Sequence, residues 1–226
     1  MSLILPPTAL PPVAAEVYTI PAPVKSVIFD FGGVLAKPDE NELVAYLVTA
    51  FGVSEDEIRE QQVSELQWIR VNDTEFGIWK KYAKEKCNID LTDEWRVEYA
   101  AVKMKAVKEL PGIRELLVDL RNQGYSLEIL SNFEEWMEPL LNRFGYKDPN
   151  LFSHLYLSYE TKQEKPSREA YEQLLTDLRL QGNETLFIDD QIKNIEAAKE
   201  LGIDAIHFTS AEELRQALIL RGILRD

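Results

Sequence analysis

From residue 105 onward, the chain alternates between amphipathic helices and short apolar segments. The i, i+3, i+4, i+7 spacing of a helix face occurs twice, at Ile113, Leu116, Leu117 and Leu120, and at Tyr171, Leu174, Leu175 and Leu178. The apolar segments between helices predict strands over 125–130, 154–159, 185–189 and 204–208. Strands that alternate with helices of this length are typical of βαβ units. The pattern therefore predicts an α/β fold with a Rossmann-like, doubly wound parallel sheet and helices on both faces.

A first strand over 25–30 belongs to the same sheet, but a long insertion, about 36–110, separates it from the second. The insertion is predicted to be helical throughout, because the helical period recurs in 74–87 and 92–104. It is too long for a simple crossover and suits a small helical bundle over the sheet. We therefore expect an inserted helical-bundle cap domain.

The amino-terminal residues have a different character. Six of the eleven prolines lie before Lys25, the first basic residue, so no basic start precedes an apolar run as in a secretory signal. This segment is predicted to be an extended arm. The predicted organisation is an arm over 1–24, an α/β core formed by 25–35 and 105–226, and a helical cap over 36–104.

The charge balance excludes several classes of partner. The chain has 25 Lys and Arg against 39 Asp and Glu, which gives a net charge of -14. Such a surface repels nucleic acid and anionic membranes, and no apolar stretch reaches the roughly 18 residues of a membrane span. The single cysteine, Cys87, allows no intramolecular disulfide and is consistent with a reducing compartment. We expect a cytoplasmic protein without a nucleic-acid or membrane partner.

Polar residues follow the predicted strands, at the sheet edge where ligands of open parallel sheets bind. These residues are Asp30 after the first strand, Ser131 and Asn132 after the second, Lys165 in the loop beyond the third, and Asp189 and Asp190 after the fourth. The sequence therefore predicts a site at this edge.

The chemistry of this set suits a phosphate ester. Asp30 and Asp189 offer the hard oxygen ligands that Mg²⁺ prefers. The Ser131 hydroxyl and the Asn132 amide can donate hydrogen bonds to phosphoryl oxygens. Lys165 can offset the charge of a nucleophilic carboxylate and of the transferring group.

Simpler interpretations of the acidic residues stay open at this point. Asp30 can cap the turn that follows its strand. Asp190 can bind the metal through water, bond to Lys165, or cap a helix predicted over 191–201.

The other site residues also have alternatives. Ser131 and Asn132 can be an ordinary N-cap for a helix predicted over 134–144. Lys162 competes with Lys165 as the phosphate-binding lysine. The proline after Lys165 favours an extended backbone there, from which the side chain can reach the strand ends.

Four segments occur in the order and spacing of known motifs: VIFDFGGVL, ILSN, KQEKPSREAY and LFIDDQIKNIEAAKELGI. Together they resemble the haloacid dehalogenase superfamily over about 25–208, and specifically its Mg²⁺-dependent phosphatases with a helical cap between the first two motifs. Within the superfamily they look most like the bacterial α-glucose-1-phosphate phosphatases.

The resemblance implies a role for each site residue. It implies that Asp30 is the nucleophile and a metal ligand. The Gly32 carbonyl, Asp189 and Asp190 are the other implied metal ligands. The implied phosphate-binding residues are Ser131, Asn132 and Lys165. Lys165 also counts as catalytic because it stabilises the transferring group.

Gly32 departs from the pattern. Most phosphatases of the superfamily have an aspartate there, which protonates the leaving oxygen and later activates water. A positioned acid-base contributes about 10²–10⁴ in rate. A backbone carbonyl at Gly32 can still bind a metal.

The sequence supports three functions. The leading one is a Mg²⁺-dependent phosphatase acting on a small phosphorylated metabolite, with a sugar phosphate favoured and an anomeric or otherwise activated leaving group. The alternatives are a haloacid dehalogenase, in which Asp30 attacks carbon, and a non-catalytic binding or regulatory module, suggested by Gly32.

Overall fold

The computed structural model describes residues 23–66 and 75–225. The predicted arm over 1–24 therefore lies outside the described residues, apart from Pro23 and Val24.

Seven strands are present in the described residues. They are β1 (Ser26–Phe29), β2 (Ala36–Pro38), β3 (Val107–Glu109), β4 (Ser126–Ser131), β5 (His154–Leu157), β6 (Thr185–Asp189) and β7 (Asp204–His207). Five of them form one parallel sheet in the order β5–β4–β1–β6–β7. These five are the strands predicted from the sequence, with small changes at their ends.

Ten α-helices are present in the same ranges. They are α1 (Glu40–Phe51), α2 (Glu55–Leu66), α3 (Glu75–Cys87), α4 (Asp93–Ala106), α5 (Ile113–Asn122), α6 (Glu138–Arg143), α7 (Ser158–Thr161), α8 (Arg168–Leu178), α9 (Ile192–Glu200) and α10 (Ala211–Leu220). None of these helices combines the length and apolar character that crossing a membrane requires.

Helices cover both faces of the parallel sheet, as predicted. On one face, Val27 and Phe29 pack in a cluster with the buried sides of α5, α6 and α10. On the other face, Ile28 packs with residues of α8 and α9. The alternation along β1 explains this division, because successive side chains of a strand point to opposite faces. The predicted doubly wound α/β class is confirmed.

The four helices α1–α4 follow β1 and β2 and have a separate apolar cluster. Phe51, Trp79 and Tyr99 are among its buried residues. Ser54 and Glu57 form a capping box at the start of α2, with bonds of 2.9 and 3.3 Å. The predicted helical cap is present, whereas its predicted limits at residues 36 and 104 stay a prediction.

The expectation that the insertion is helical throughout is wrong. β2 and β3 pair antiparallel where the chain leaves the core and returns to it. Backbone bonds of 2.9 Å join Asp39 to Ala106 and Leu110 to Leu35 on either side of this ribbon. Each strand has three residues, which is too short to show a period of two in the sequence, and only the partner strand defines it.

Candidate active site

Strand register brings the first two predicted carboxylates together. Phe29 of β1 pairs with Ile188 of β6, so Asp30 and Asp189 follow at the same level of the sheet. Phe29 also pairs with Ile129 of β4, which brings Ser131 to the same edge. The Ser131 hydroxyl lies close enough to Asp30 to lower the pKa of its carboxyl. Three of the predicted residues therefore meet because neighbouring parallel strands end together.

Lys165 lies between the two buried carboxylates. Its Nζ is 2.9 Å from Asp30 Oδ1 and 2.7 Å from Asp189 Oδ2, and the residue is 3% exposed. Lys162, the competing lysine, is exposed and donates to the backbone carbonyl of Tyr159. Of the two lysines, Lys165 is the one that contacts the site, where its charge compensates two carboxylates removed from water.

The amide of Asn132 holds the backbone of Lys165. Its Oδ1 accepts from the Lys165 N–H and its Nδ2 donates to the Lys165 carbonyl, both at 2.8 Å. The 3₁₀ turn that follows, Glu135–Met137, receives no side-chain cap, so the N-cap interpretation of Ser131 and Asn132 is wrong. Asn132 therefore positions Lys165 in this structure, and one amide hydrogen is left for the predicted contact with phosphate.

Asp189 is saturated by protein donors. Its Oδ1 accepts from the Gln191 N–H at 2.7 Å, and the Asn194 amide lies 3.0 Å from both oxygens. With Lys165 on Oδ2, this fully buried carboxylate has several hydrogen bonds to its ionised form. Asp189 therefore anchors Lys165 as well as contributing an oxygen to the acidic cluster.

Sequence reasoning gave Asn194 no role. It lies on the buried face of α9 beside Ile195 and Ala198, and it is 2% exposed. The signal that could have identified it is an amide at an apolar position of an amphipathic helix, one turn after an acidic pair. A buried amide needs partners, and Asp189 supplies them for Nδ2, whereas the buried Oδ1 of Asn194 has no hydrogen-bond partner in the described residues.

Asp190 differs from Asp189 in its surroundings. It is exposed, and the N-cap residue of α9 is Gln191, with no side-chain cap, so Asp190 does not cap that helix. A Cβ on Gly33 would come within 2.3 Å of Asp190 Oδ2, and Gly33 has a φ of +75°. Glycine at position 33 therefore allows the Asp190 carboxylate to lie directly against the loop after β1.

The three aspartates form a cluster that fits a divalent cation. One carboxylate oxygen each from Asp30, Asp189 and Asp190 lies within 4.8 Å of the others. Burial raises the pKa of Asp30, Lys165 opposes this rise, and Asp189 adds to it. Burial also raises the pKa of Asp190, and the charges of Asp30 and Asp189 raise it further. A hard cation would relieve this repulsion, and Mg²⁺ is suited to such oxygens.

A cavity of about 230 Å³ opens above this cluster, and we call it the catalytic cavity. Asp30, Gly32, Ser131, Lys165 and Asp190 are among the residues that line it. Gly32 is exposed, and a Cβ built on it would meet no atom within 4 Å. The position of the missing aspartate is therefore open space.

The comparisons with known proteins agree with this fold. The model of the haloacid dehalogenase-like hydrolase family matches residues 27–208, so the chain belongs to that family. Among curated proteins, D-ribitol-5-phosphate phosphatase of Bacteroides thetaiotaomicron is 26% identical over 86% of this chain and 97% of its own. A sesquiterpene phosphatase of Aspergillus oryzae is 30% identical over 45% of this chain and 53% of its own.

Solved structures show the same fold. A family enzyme of B. thetaiotaomicron, in complex with magnesium and inorganic phosphate, has a TM-score of 0.57 and 24% identity, over 83% of this chain and 95% of its own. A family hydrolase of Deinococcus radiodurans, with bound phosphate and sodium, has a TM-score of 0.64 and 21% identity, over 90% and 98%. The predicted Mg²⁺ agrees with the acidic cluster of this chain.

Proposed function

We propose that this hydrolase is a Mg²⁺-dependent phosphatase that acts on a small phosphorylated metabolite through an aspartyl-phosphate on Asp30. The observation that carries the proposal is the buried arrangement of Asp30, Lys165 and Asp189. It places an oxygen nucleophile beside a fixed cation at the edge of a cavity large enough for a phosphate group. The curated relatives support it, because each is a phosphatase by name.

Three residues of the site, Asp30, Lys165 and Ser131, have defined roles in the proposed reaction. Asp30 attacks phosphorus, the bond between phosphorus and the alcohol oxygen breaks, and the alcohol leaves with the electron pair. Lys165 and the Ser131 hydroxyl stabilise charge on the carboxylate and the phosphoryl oxygens. Water then hydrolyses the aspartyl-phosphate, which releases phosphate and restores Asp30.

Mg²⁺ bound by Asp30, Asp189 and Asp190, with the Gly32 carbonyl as a further ligand, would neutralise phosphoryl charge during transfer. Asp190 is the carboxylate with the fewest competing bonds to the protein, whereas Asp189 already accepts from Lys165, Gln191 and Asn194. We therefore assign Asp190 a larger share of metal binding than the sequence suggested.

The glycine at position 32 limits which alcohols can act as leaving groups. Without an aspartate there, the product oxygen leaves with little protonation. The hydrolysis rate should therefore fall least for phosphate esters of acidic hydroxyls. Anomeric sugar phosphates, acyl phosphates and aryl phosphates are of this kind. The motifs favour a sugar phosphate, and the ribitol-phosphate-hydrolysing relative supports a polyol or sugar.

The two alternative functions fit the site less well. A dehalogenase has no use for a third carboxylate at the metal position, and Asp190 lies within 4.8 Å of Asp30 and Asp189. A binding module without catalysis has no need of a nucleophile paired with Lys165. We place this activity in the cytoplasm, in keeping with the single cysteine, Cys87.

A phosphate-release screen tests the proposal. The protein is assayed against several dozen phosphorylated metabolites, once with Mg²⁺ and once with EDTA. Asp30→Asn, which keeps the shape of the side chain, is the matched control. We expect Mg²⁺-dependent release that disappears in Asp30→Asn. Release that persists in EDTA or in the variant would refute the mechanism, and no release from any compound would favour the non-catalytic module.

A further inference from the structure

A second cavity, of about 210 Å³, adjoins the catalytic cavity. The two share Phe31, Gly32 and Met137 in their walls. The remaining walls come from the β2–β3 ribbon, the end of α4 and the start of α6, so the cavity lies between the core and the base of the cap. A phosphate held in the catalytic cavity would direct its alcohol portion here, and we call this space the leaving-group cavity.

Apolar side chains make up most of its wall. They are Ala36, Pro38, Met104, Val107, Met137 and Leu140. Lys37, Lys103 and Glu134 are its charged residues. Trp79 and Trp95 pack in the apolar cluster of the cap and do not line this cavity. The cavity therefore offers few groups that could replace the water around a sugar's hydroxyls.

The apolar wall is fixed to the core. Arg143 of α6 donates to the Met104 carbonyl at 2.7 Å and also to the Val107 carbonyl. The Leu110 N–H bonds to the Leu35 carbonyl at 2.9 Å beside β3. These bonds hold the end of α4 and the ribbon against the sheet. A preformed apolar cavity favours a rigid apolar group, because little ordering accompanies binding.

Gly32 keeps the junction of the two cavities open. It borders both, and a Cβ there would meet no atom within 4 Å. No side chain at this position narrows the path from the phosphate to the apolar wall. The same glycine removes the usual proton donor, so one residue affects both the shape of the site and its chemistry.

We propose, resting on the phosphatase function above, that the leaving-group cavity selects aryl phosphates, the esters of apolar and acidic hydroxyls. An apolar cavity of about 150 Å³ holds benzene, so this one has room for an aromatic ring with a small substituent. A sugar would lose hydrogen bonds to water over most of this wall, where Lys37, Lys103 and Glu134 are the charged side chains that could replace some of them. Among phosphate esters with activated leaving groups, the cavity therefore favours aryl phosphates over the sugar phosphate that the sequence favoured.

The proposed step balances without a protein acid. The bond from Asp30 to phosphorus forms as the bond from phosphorus to the aryl oxygen breaks. The phenolate leaves with the electron pair and takes its proton from solvent, which an acidic hydroxyl permits. Water then hydrolyses the aspartyl-phosphate to phosphate.

The test compares phenyl phosphate with glucose 1-phosphate on the parent and on variants of the cavity wall. Met104→Gln makes the wall polar at similar volume, and Val107→Thr does the same with a smaller change. Val97→Gln is the matched control, because Val97 lies on the same helix, α4, and is 71% exposed. Changing the wall leaves the acidity of each leaving group unaltered, so the variants separate apolar selection from acidity.

We expect the parent to have a kcat/KM for phenyl phosphate at least about tenfold above that for glucose 1-phosphate. Met104→Gln should lower the phenyl phosphate value about tenfold with little change for glucose 1-phosphate, Val107→Thr should act in the same direction, and Val97→Gln should change neither. A parent that prefers glucose 1-phosphate, or wall variants that slow both substrates equally, would overturn the aryl selection alone. No phosphate release from either substrate would overturn the proposed function as well.

Discussion

Buried carboxylates occur in two regions of the parallel sheet, and their charges are compensated in different ways. At the carboxyl end of the strands, Asp30 and Asp189 share the ammonium of Lys165 at 2.9 and 2.7 Å. Toward the amino end, Glu128 of β4 is fully buried and bonds to the hydroxyls of Ser26 and Ser126. Ile28 pairs with Glu128 and precedes Asp30 by two residues, so one rung of the sheet separates the regions.

This difference indicates that a buried carboxylate can have either a functional or a structural role. A buried cation beside a carboxylate opposes the effect of burial on its pKa, and such a carboxylate can act as a nucleophile or ligand. Burial raises the pKa of Glu128, and the two serine hydroxyls only partly oppose the rise. His154 Nδ1 lies 3.9 Å from a Glu128 carboxylate oxygen, on a side chain that is 58% exposed, and the charge of Arg121 also opposes the rise. We infer that Glu128 has a structural role in joining β1, β4 and β5 and takes no part in catalysis.

The largest expected effect comes from removing the nucleophile. Asp30→Asn should lower kcat roughly 10⁴-fold or more, because the proposed acyl phosphate forms on the Asp30 carboxylate. Stability should not fall, since a like charge beside Asp189 is removed. Steady-state kinetics and thermal melting measure both. Glu128→Gln is the control and should keep kcat within about twofold; equal losses in the two variants would contradict the division between the regions.

Removing the shared cation should have the next largest effect. Lys165→Met leaves two buried carboxylates without a counter-charge, which should cost about 3–5 kcal/mol in the free energy of unfolding. Urea unfolding in EDTA measures it, and Mg²⁺ should restore part of the loss. Lys162→Met, at an exposed lysine nearby, should change stability by less than about 0.5 kcal/mol. If both variants lose the same stability, Lys165 does not compensate these charges.

Adding the missing aspartate should change selectivity more than stability. A Cβ at position 32 meets no atom within 4 Å, so Gly32→Asp fits the fold. It should raise kcat/KM for glucose 6-phosphate at least ~10-fold, toward the 10²–10⁴ of a positioned acid, and change an aryl phosphate less. Gly32→Asn has the same shape without the acid. Equal kinetics of the two variants would show that shape, and not proton transfer, causes the effect.

The smallest expected effect is the pH dependence of Glu128. Because its pKa is raised in the folded protein, the folded state favours the protonated form. Stability from this proton is present below the usual value of 4.5 and is lost as the pH rises through the raised pKa. Glu128→Gln imitates the neutral form, so it should melt at a higher temperature than the parent at pH 8 and at about the same temperature near pH 4.

Melting curves of both proteins at several pH values measure this difference. Glu169→Gln, at an exposed position of α8, is the matched control and should show no such trend. A difference between Glu128→Gln and the parent that stays constant with pH would mean that Glu128 does not exchange its proton on unfolding.

Much of the fold could be predicted from the sequence because strands and helices have different periods. All five strands of the parallel sheet and the helical cap were predicted. The β2–β3 ribbon was not, since three residues carry no period and the pairing joins residues about 70 positions apart along the chain. The candidate site residues Asp30, Ser131 and Asp189 could be selected because strand ends are defined by sequence, and Lys165 because a proline follows it in the next loop. Their roles stay predictions until they are assayed.

The fold class, the order of the motifs and the residue types at the strand ends follow from the sequence. The tertiary structure shows that Lys165, and not Lys162, contacts the site. It also shows that Asn132 hydrogen-bonds to the backbone of Lys165 and that the Asn194 amide contacts both oxygens of Asp189. It also enclosed the apolar leaving-group cavity beside Gly32. Local periodicity follows from neighbouring residues in the chain, whereas these contacts join distant segments, and their distances arise only when the core is packed.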